Sequence, residues 1–181
     1  DASGQSFRDF MAGKLPALPG ETPHIGDWLD HMTTVFPEVR LKHYIEVRGA
    51  DGGPWRRLCA LPALWVGLFY DSEALDAAWD LVRDWSADEH AYLRTQVTTN
   101  ALATRFRQRT LQDLAVEVLD MARGGLERRD RRDLAGRTEA SFLEPLQEIA
   151  ESGKTAADEM LELYNGRWGK SVDPVFTEYA Y

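Results

Sequence analysis

Glu46 and Arg48 stand two residues apart in a stretch, 40–48, whose side chains alternate: Lys42, Tyr44, Glu46 and Arg48 against His43, Ile45 and Val47. A two-residue repeat is that of a strand, so a carboxylate and a guanidinium are expected to project together from one face. Such a face suits metal and phosphate chemistry: hard Mg²⁺ takes oxygen ligands, and arginine grips phosphate oxygens with a planar fork. The same alternation also makes an exposed sheet face carrying an ion ladder and no chemistry. Thr33 and Thr34 precede the stretch and offer hydroxyls; Arg56 and Arg57 follow it.

The elements that must hold these residues can be read from the pattern around them. Between Lys14 and Gly26 lie Pro16, Pro19, Gly20 and Pro23, which regular structure does not absorb, so this is a loop. Ser6 is placed to cap a short segment carrying Phe7, Phe10 and Met11. Trp28, Leu29 and Met32 recur at helical spacing over Asp27 to Thr34, with His31 structural, and Pro37 lies beyond the helix end. One strand, 40–48, follows and ends at Gly49. A lone strand leaves its backbone groups unpaired, so its partners are expected outside this chain or in segments whose pattern hides them.

From Pro54 onward the chain reads as helix almost to its end. Trp55 to Tyr70 is apolar on most sides and is expected to bend or break at Pro62. Asp71 or Ser72 starts the next helix, and Ser86 with Glu89 fits a capping box for another. Leu111, Leu114, Val118, Leu119, Ala122 and Leu126 share one face of a helix after Thr110, which Gly124 and Gly125 end or weaken. Phe142 to Ile149 and Thr155 to Tyr164 complete the set, the latter stopped by Asn165-Gly166. Trp65 and Trp79, on the apolar faces of consecutive helices, are expected to be largely buried.

The fold class implied is mainly α with one or few β-strands, divided into 1–53, with loop, short helix and strand, and a helical region 54–181. The formal charge of −9, from 30 acidic and 21 basic residues, repels a phosphate backbone, so no nucleic acid is expected as partner. Arg128-Arg129-Asp130-Arg131-Arg132 is the one basic cluster and reads as a solvated helix end. The longest apolar stretch, broken by Pro62 and Gly67, falls short of a bilayer span, so no membrane is expected either. Cys59 is the only cysteine and forms no disulfide within the chain; as a small apolar side chain in a reducing compartment, it suggests the cytoplasm.

The run from His31 through Thr33, Thr34, Phe36-Pro37-Glu38-Val39-Arg40 and Tyr44-Ile45-Glu46-Val47-Arg48-Gly49, then Pro54-Trp55-Arg56-Arg57-Leu58-Cys59, is similar to a segment of plant and proteobacterial glutamate-cysteine ligases. The resemblance extends upstream to Phe7-Arg8-Asp9-Phe10 and downstream to Trp168-Gly169-Lys170 and Tyr179-Ala180-Tyr181. It implies the C-terminal portion of an α+β, glutamine-synthetase-like fold, in which an antiparallel sheet forms a funnel with helices outside. The implied activity joins the γ-carboxylate of L-glutamate to the amine of L-cysteine through γ-glutamyl phosphate, using ATP and Mg²⁺. On these residues the resemblance makes Glu46 a metal ligand and Arg48 a catalytic group at the transferred phosphoryl. Thr33, Thr34, Arg56 and Arg57 become substrate contacts. The missing N-terminal part of the same enzyme would supply the other metal carboxylates, so these residues alone are expected to be inactive. The rival reading is a non-catalytic helical module that packs on, or regulates, a partner protein.

Overall fold

The computed structural model describes residues 2–50 and 52–180. They form two compact units, Asp1–Ala50 and Asp51–Tyr181, mainly helical with two small antiparallel sheets.

In the first unit the Ser6 hydroxyl accepts a hydrogen bond from the backbone N–H of Arg8 and starts α1 (Phe7–Met11). The loop that follows buries Leu15. α2 (Ile25–Thr33) opens where the Asp27 carboxylate accepts from the N–H of His24 at 2.7 Å. The Phe7 ring meets Trp28 edge-on, with centroids 5.2 Å apart, and stacks on His31 at 4.5 Å. That aromatic contact ties α1 to α2 and gives His31 its structural place.

The expected single strand is a hairpin. β1 (Val39–Leu41) pairs antiparallel with β2 (Ile45–Val47), with Arg40 opposite Glu46 and Val39 opposite Val47. A bond from Arg48 N–H to Glu38 O at 2.8 Å extends the ladder, and one from Lys42 N–H to Tyr44 O closes it around His43. The alternation therefore holds from Ile45 to Arg48 but not across residues 42–44, where the chain reverses. The strand's missing partner lay inside the stretch read as one strand. The apolar side chains of this hairpin remain open to solvent: Leu41 is 81% exposed and Ile45 59%.

In the second unit α3 (Trp55–Leu58) and α4 (Ala60–Phe69) meet at a half-buried Cys59. The break falls there and not at Pro62, because Pro62 occupies the first turn of α4, where a missing N–H costs no intrahelical bond. Asp71 caps α5 (Ser72–Val82) by accepting from Ala74 N–H at 2.9 Å. The Ser86–Glu89 box opens α6 (Ala87–Asn100).

A short ladder interrupts the helices next: β3 (Arg105–Phe106) and β4 (Arg109–Thr110) join through Arg107, at φ +52°. Phe106 packs there with buried Leu93 and Leu114. Thr110 and Asp113 then box the start of α7 (Leu111–Arg129). α7 runs straight through Gly124 and Gly125 and stops only at Asp130, whose φ is +48°. The helix continues through them, and at 125 packing requires a glycine: α7 lies against α4 so closely that Gly125 touches the backbone of Gly67. Leu126, Ala122 and Leu119 of α7, with Ala63 and Leu68 of α4 and Leu143 beyond, form the main core.

A 3₁₀ turn (Glu139–Leu143) leads into α8 (Glu144–Ser152), and Thr155 caps α9 (Ala156–Asn165). α10 (Val175–Glu178) closes the tail, where Glu178 accepts from the Nε1–H of buried Trp168 and pairs with Arg167. No single helix among the described residues is long and apolar enough to cross a membrane.

Of the two tryptophans expected to be buried, Trp65 packs on the main core while Trp79 is 61% exposed. The helical stripe of α5 turns Ala74 inward and leaves Trp79 on its margin. Trp65→Ala is therefore expected to cost about 3 kcal/mol, as for a large core aromatic, and Trp79→Ala less than about 1 kcal/mol. Denaturant midpoints of the two variants check this; equal losses would contradict the packing.

Charged pairs pin this unit together. Arg128 at the end of α7 donates Nη2 and Nε to Asp71, at 2.6 and 3.0 Å. Arg107 donates Nε and Nη2 to Glu89, at 2.7 and 3.0 Å. The basic cluster is thus a helix end in which Arg128 is tied to α5 and Arg129 pairs with Glu139.

Arg128, then the Ala74 N–H, holds the Asp71 carboxyl down to about 2; Arg107, then Ser86, does the same for Glu89. A carboxyl depressed in the folded state stabilises fully above its ordinary value and loses that contribution as pH falls toward the depressed one. Thermal midpoints are expected to be flat above about pH 5 and to fall between about pH 4 and 2. Arg128→Met and Arg107→Met should each flatten that fall. An unchanged acid slope in both would rule these pairs out as its source.

Candidate functional site

The hairpin gathers charge on one face because Arg40 and Glu46 are cross-strand partners and Arg48 follows Glu46 by two. Arg40 donates Nε to Glu46 Oε2 at 3.1 Å, and Nη2 to Oε2 at 2.9 Å and to Oε1 at 3.2 Å. Arg48 donates Nη1 to Oε1 of the same carboxylate at 2.5 Å. Lys42 Nζ stands 3.7 Å from Oε2. The Arg48 guanidinium also lies over the Phe36 ring, 5.3 Å from its centroid, a cation–π contact that limits where it can swing.

Glu46 is 25% and Arg48 30% exposed, half-sunk but reachable. The hydrogen bonds from Arg40 hold the Glu46 carboxyl below its usual range; partial desolvation opposes this and Arg48 adds to it. Glu46 is ionised at neutral pH, and the face carries more positive than negative charge. Such an array can bind the oxygens of an anion.

Glu46 and Arg48 are thus brought together. Thr33 and Thr34 end α2, and their hydroxyls donate to carbonyls one turn back, Thr33 to Asp30 O at 2.6 Å and Thr34 to His31 O at 2.7 Å. Each keeps accepting capacity. Thr34 also lines an open cleft of about 590 Å³ with Phe7, Phe10, Asp27, Asp30 and His31. Arg56 and Arg57 belong to the second unit and are engaged there, Arg56 with Glu148 of α8 at 2.8 Å and Arg57 with Glu159 of α9 at 4.0 Å.

Arg40 escaped the sequence reading, since a single strand puts it six residues from Glu46 and gives it no role. One signal was present: Arg40 and Glu46 are equidistant from His43, where the chain turns.

Among the described residues no group of three or more His, Cys, Asp or Glu side chains is placed to hold a metal. Glu46 is a single carboxylate whose oxygens already accept from Arg40 and Arg48, so it is not a metal site by itself.

The hairpin thus sets one carboxylate between two guanidinium groups. Residues 5–178 match glutamate-cysteine ligase family 2, and the chain belongs to that family. It is 55% identical to "Glutamate--cysteine ligase, chloroplastic" of Arabidopsis thaliana over 181 residues, all of this chain and 34% of that one. The enzyme of the same name from Brassica juncea is 54% identical, and that from Nicotiana tabacum 52%, with the same coverage. The chain thus spans about a third of the length of the curated relatives it matches. Their plastid names overturn the expected cytoplasmic setting. The lone Cys59 reports only that no disulfide closes within this chain, a property that does not distinguish one reducing compartment from another.

Proposed function

We propose that this chain is the C-terminal part of an ATP-dependent ligase that joins the γ-carboxylate of L-glutamate to the amine of L-cysteine through γ-glutamyl phosphate, the first step of glutathione synthesis. The observation that carries the proposal is the Glu46–Arg48 pair on one face of the hairpin, in a chain matched to this family along its length.

In this reading Arg48 is the catalytic cation. Its fork meets the oxygens of the γ-phosphoryl group as charge builds on them, and the Phe36 ring keeps it in place. Glu46 contributes one oxygen ligand to Mg²⁺, which when bound neutralises the ATP phosphates. Thr33 and Thr34 accept from the amine of a substrate amino acid while remaining bonded to the helix. Arg56 and Arg57 contact substrate carboxylates by exchanging Glu148 and Glu159 for them. The exposed Leu41 and Ile45 support a hairpin that continues, in the longer enzyme, into a glutamine-synthetase-like sheet. Exclusion of water from the acyl phosphate belongs to that larger funnel.

The test is release of phosphate that depends on ATP, L-glutamate and L-cysteine together. The longer enzyme is expected to show it and the 181 residues alone to show none. Release by the longer enzyme that ignores either amino acid would overturn the proposal.

A further inference from the structure

We infer that Arg40 is a positioning residue for the phosphate-handling face: by taking one edge of the Glu46 carboxylate across the hairpin, it keeps Glu46 in line and leaves Arg48 cationic toward an incoming phosphoryl group. The inference rests on the roles given above to Glu46 and Arg48.

Its grounds are geometric. Glu46 and Arg48 are near neighbours on one strand, and by themselves would close into a neutral pair, spending on each other the charge that an anion needs. Arg40 limits this from the opposite strand by holding Oε2 and sharing Oε1. Its register position faces Glu46 directly, and two of its nitrogens make three contacts with the carboxylate. Arg48 is left engaged through one nitrogen, Nη1. The three groups together carry one positive charge, and Lys42, 3.7 Å from Oε2, adds another. A bidentate partner also fixes the plane of the carboxylate, and with it the direction in which an oxygen can be offered. Arg40 is only 28% exposed and sits on a paired strand, a rigid mount for this task.

The experiment uses the full-length protein and five variants, Arg40→Met, Arg40→Lys, Glu46→Gln, Arg48→Lys, and Arg40→Met combined with Glu46→Gln. Turnover, calorimetric binding of ATP with Mg²⁺, and melting temperature are measured on each. Arg40→Met is expected to lower kcat and weaken ATP binding, each by roughly 10- to 100-fold, as loss of an outer partner does, with melting little changed. Arg40→Lys should recover part of the loss. In the Glu46→Gln background the further effect of Arg40→Met should shrink to about threefold or less, because Arg40 acts through Glu46.

Normal turnover and ATP binding in Arg40→Met would overturn the inference. So would an equal loss in both backgrounds with lowered melting, the mark of a merely structural cross-strand pair. Normal turnover in Glu46→Gln and Arg48→Lys would remove the reading of the face itself, and this inference with it; a defect in those two beside a normal Arg40→Met removes the inference alone.

Discussion

Arg48→Lys in the full-length ligase is expected to lower kcat by about 100-fold or more while leaving the melting temperature nearly unchanged. Lysine keeps a charge but has no planar fork, so it cannot meet two phosphoryl oxygens at once or present a planar cation over the Phe36 ring. It also loses the geometry by which Nη1 reaches Glu46. Stability should barely respond, because Arg48 is near the surface and the hairpin is held by its backbone ladder. Glu46→Gln should behave differently: it preserves shape, removes a negative charge, and raises the Mg²⁺ concentration needed for half-maximal rate. A kinetic split of this kind, with phosphate chemistry lost in one variant and metal demand raised in the other, separates the two roles. Turnover close to normal in both would leave the face as an ion ladder.

The pairing of Glu46 with Arg48 was legible because its signal is local. Two residues separated by one apolar side chain share a face whether the strand is long or short, and Glu46 and Arg48 are adjacent at 2.5 Å. The helix caps at Ser6, Asp71 and Ser86 were legible for the same reason, each acting on backbone within three residues. Misreadings arose where the deciding partner is distant or the turn unmarked. The reversal at residues 42–44 contains Lys, His and Tyr and no glycine, proline or asparagine, so nothing announced it, and Arg40 was hidden with it. The Arg105–Phe106 ladder is two residues a side, too short for a period. Trp79 is apolar at helical spacing, yet its exposure is set by how α5 is rotated against α7, which no local pattern records.

Gly125 is the sharpest case of a long-range cause, and its replacement should have the largest effect on stability. By local propensity, alanine in the middle of a helix is favoured over glycine by up to about 1 kcal/mol, so Gly124→Ala and Gly125→Ala ought both to stabilise α7. Their surroundings differ. A Cβ on Gly124 would meet only the tip of the Arg128 side chain, at 3.3 Å, which can move away. A Cβ on Gly125 would drive into the carbonyl oxygen of Gly67, and one on Gly67 into that of Ala122, backbone against backbone in the most buried part of the unit. Neither clash can be relieved by a rotamer change; α4 and α7 would have to separate, opening the packing around Leu119, Ala122 and Leu126. Overpacking of that kind exceeds the helix gain, and a loss on the order of 4 kcal/mol is expected for Gly125→Ala or Gly67→Ala, a large share of the stability of an ordinary domain. Gly124→Ala should be neutral or stabilising by up to about 1 kcal/mol. Chemical denaturation of the three variants decides the matter: a stabilised Gly125→Ala would mean that α4 and α7 do not cross at these glycines, whereas opposite signs at adjacent positions of one helix can come only from what lies across from each.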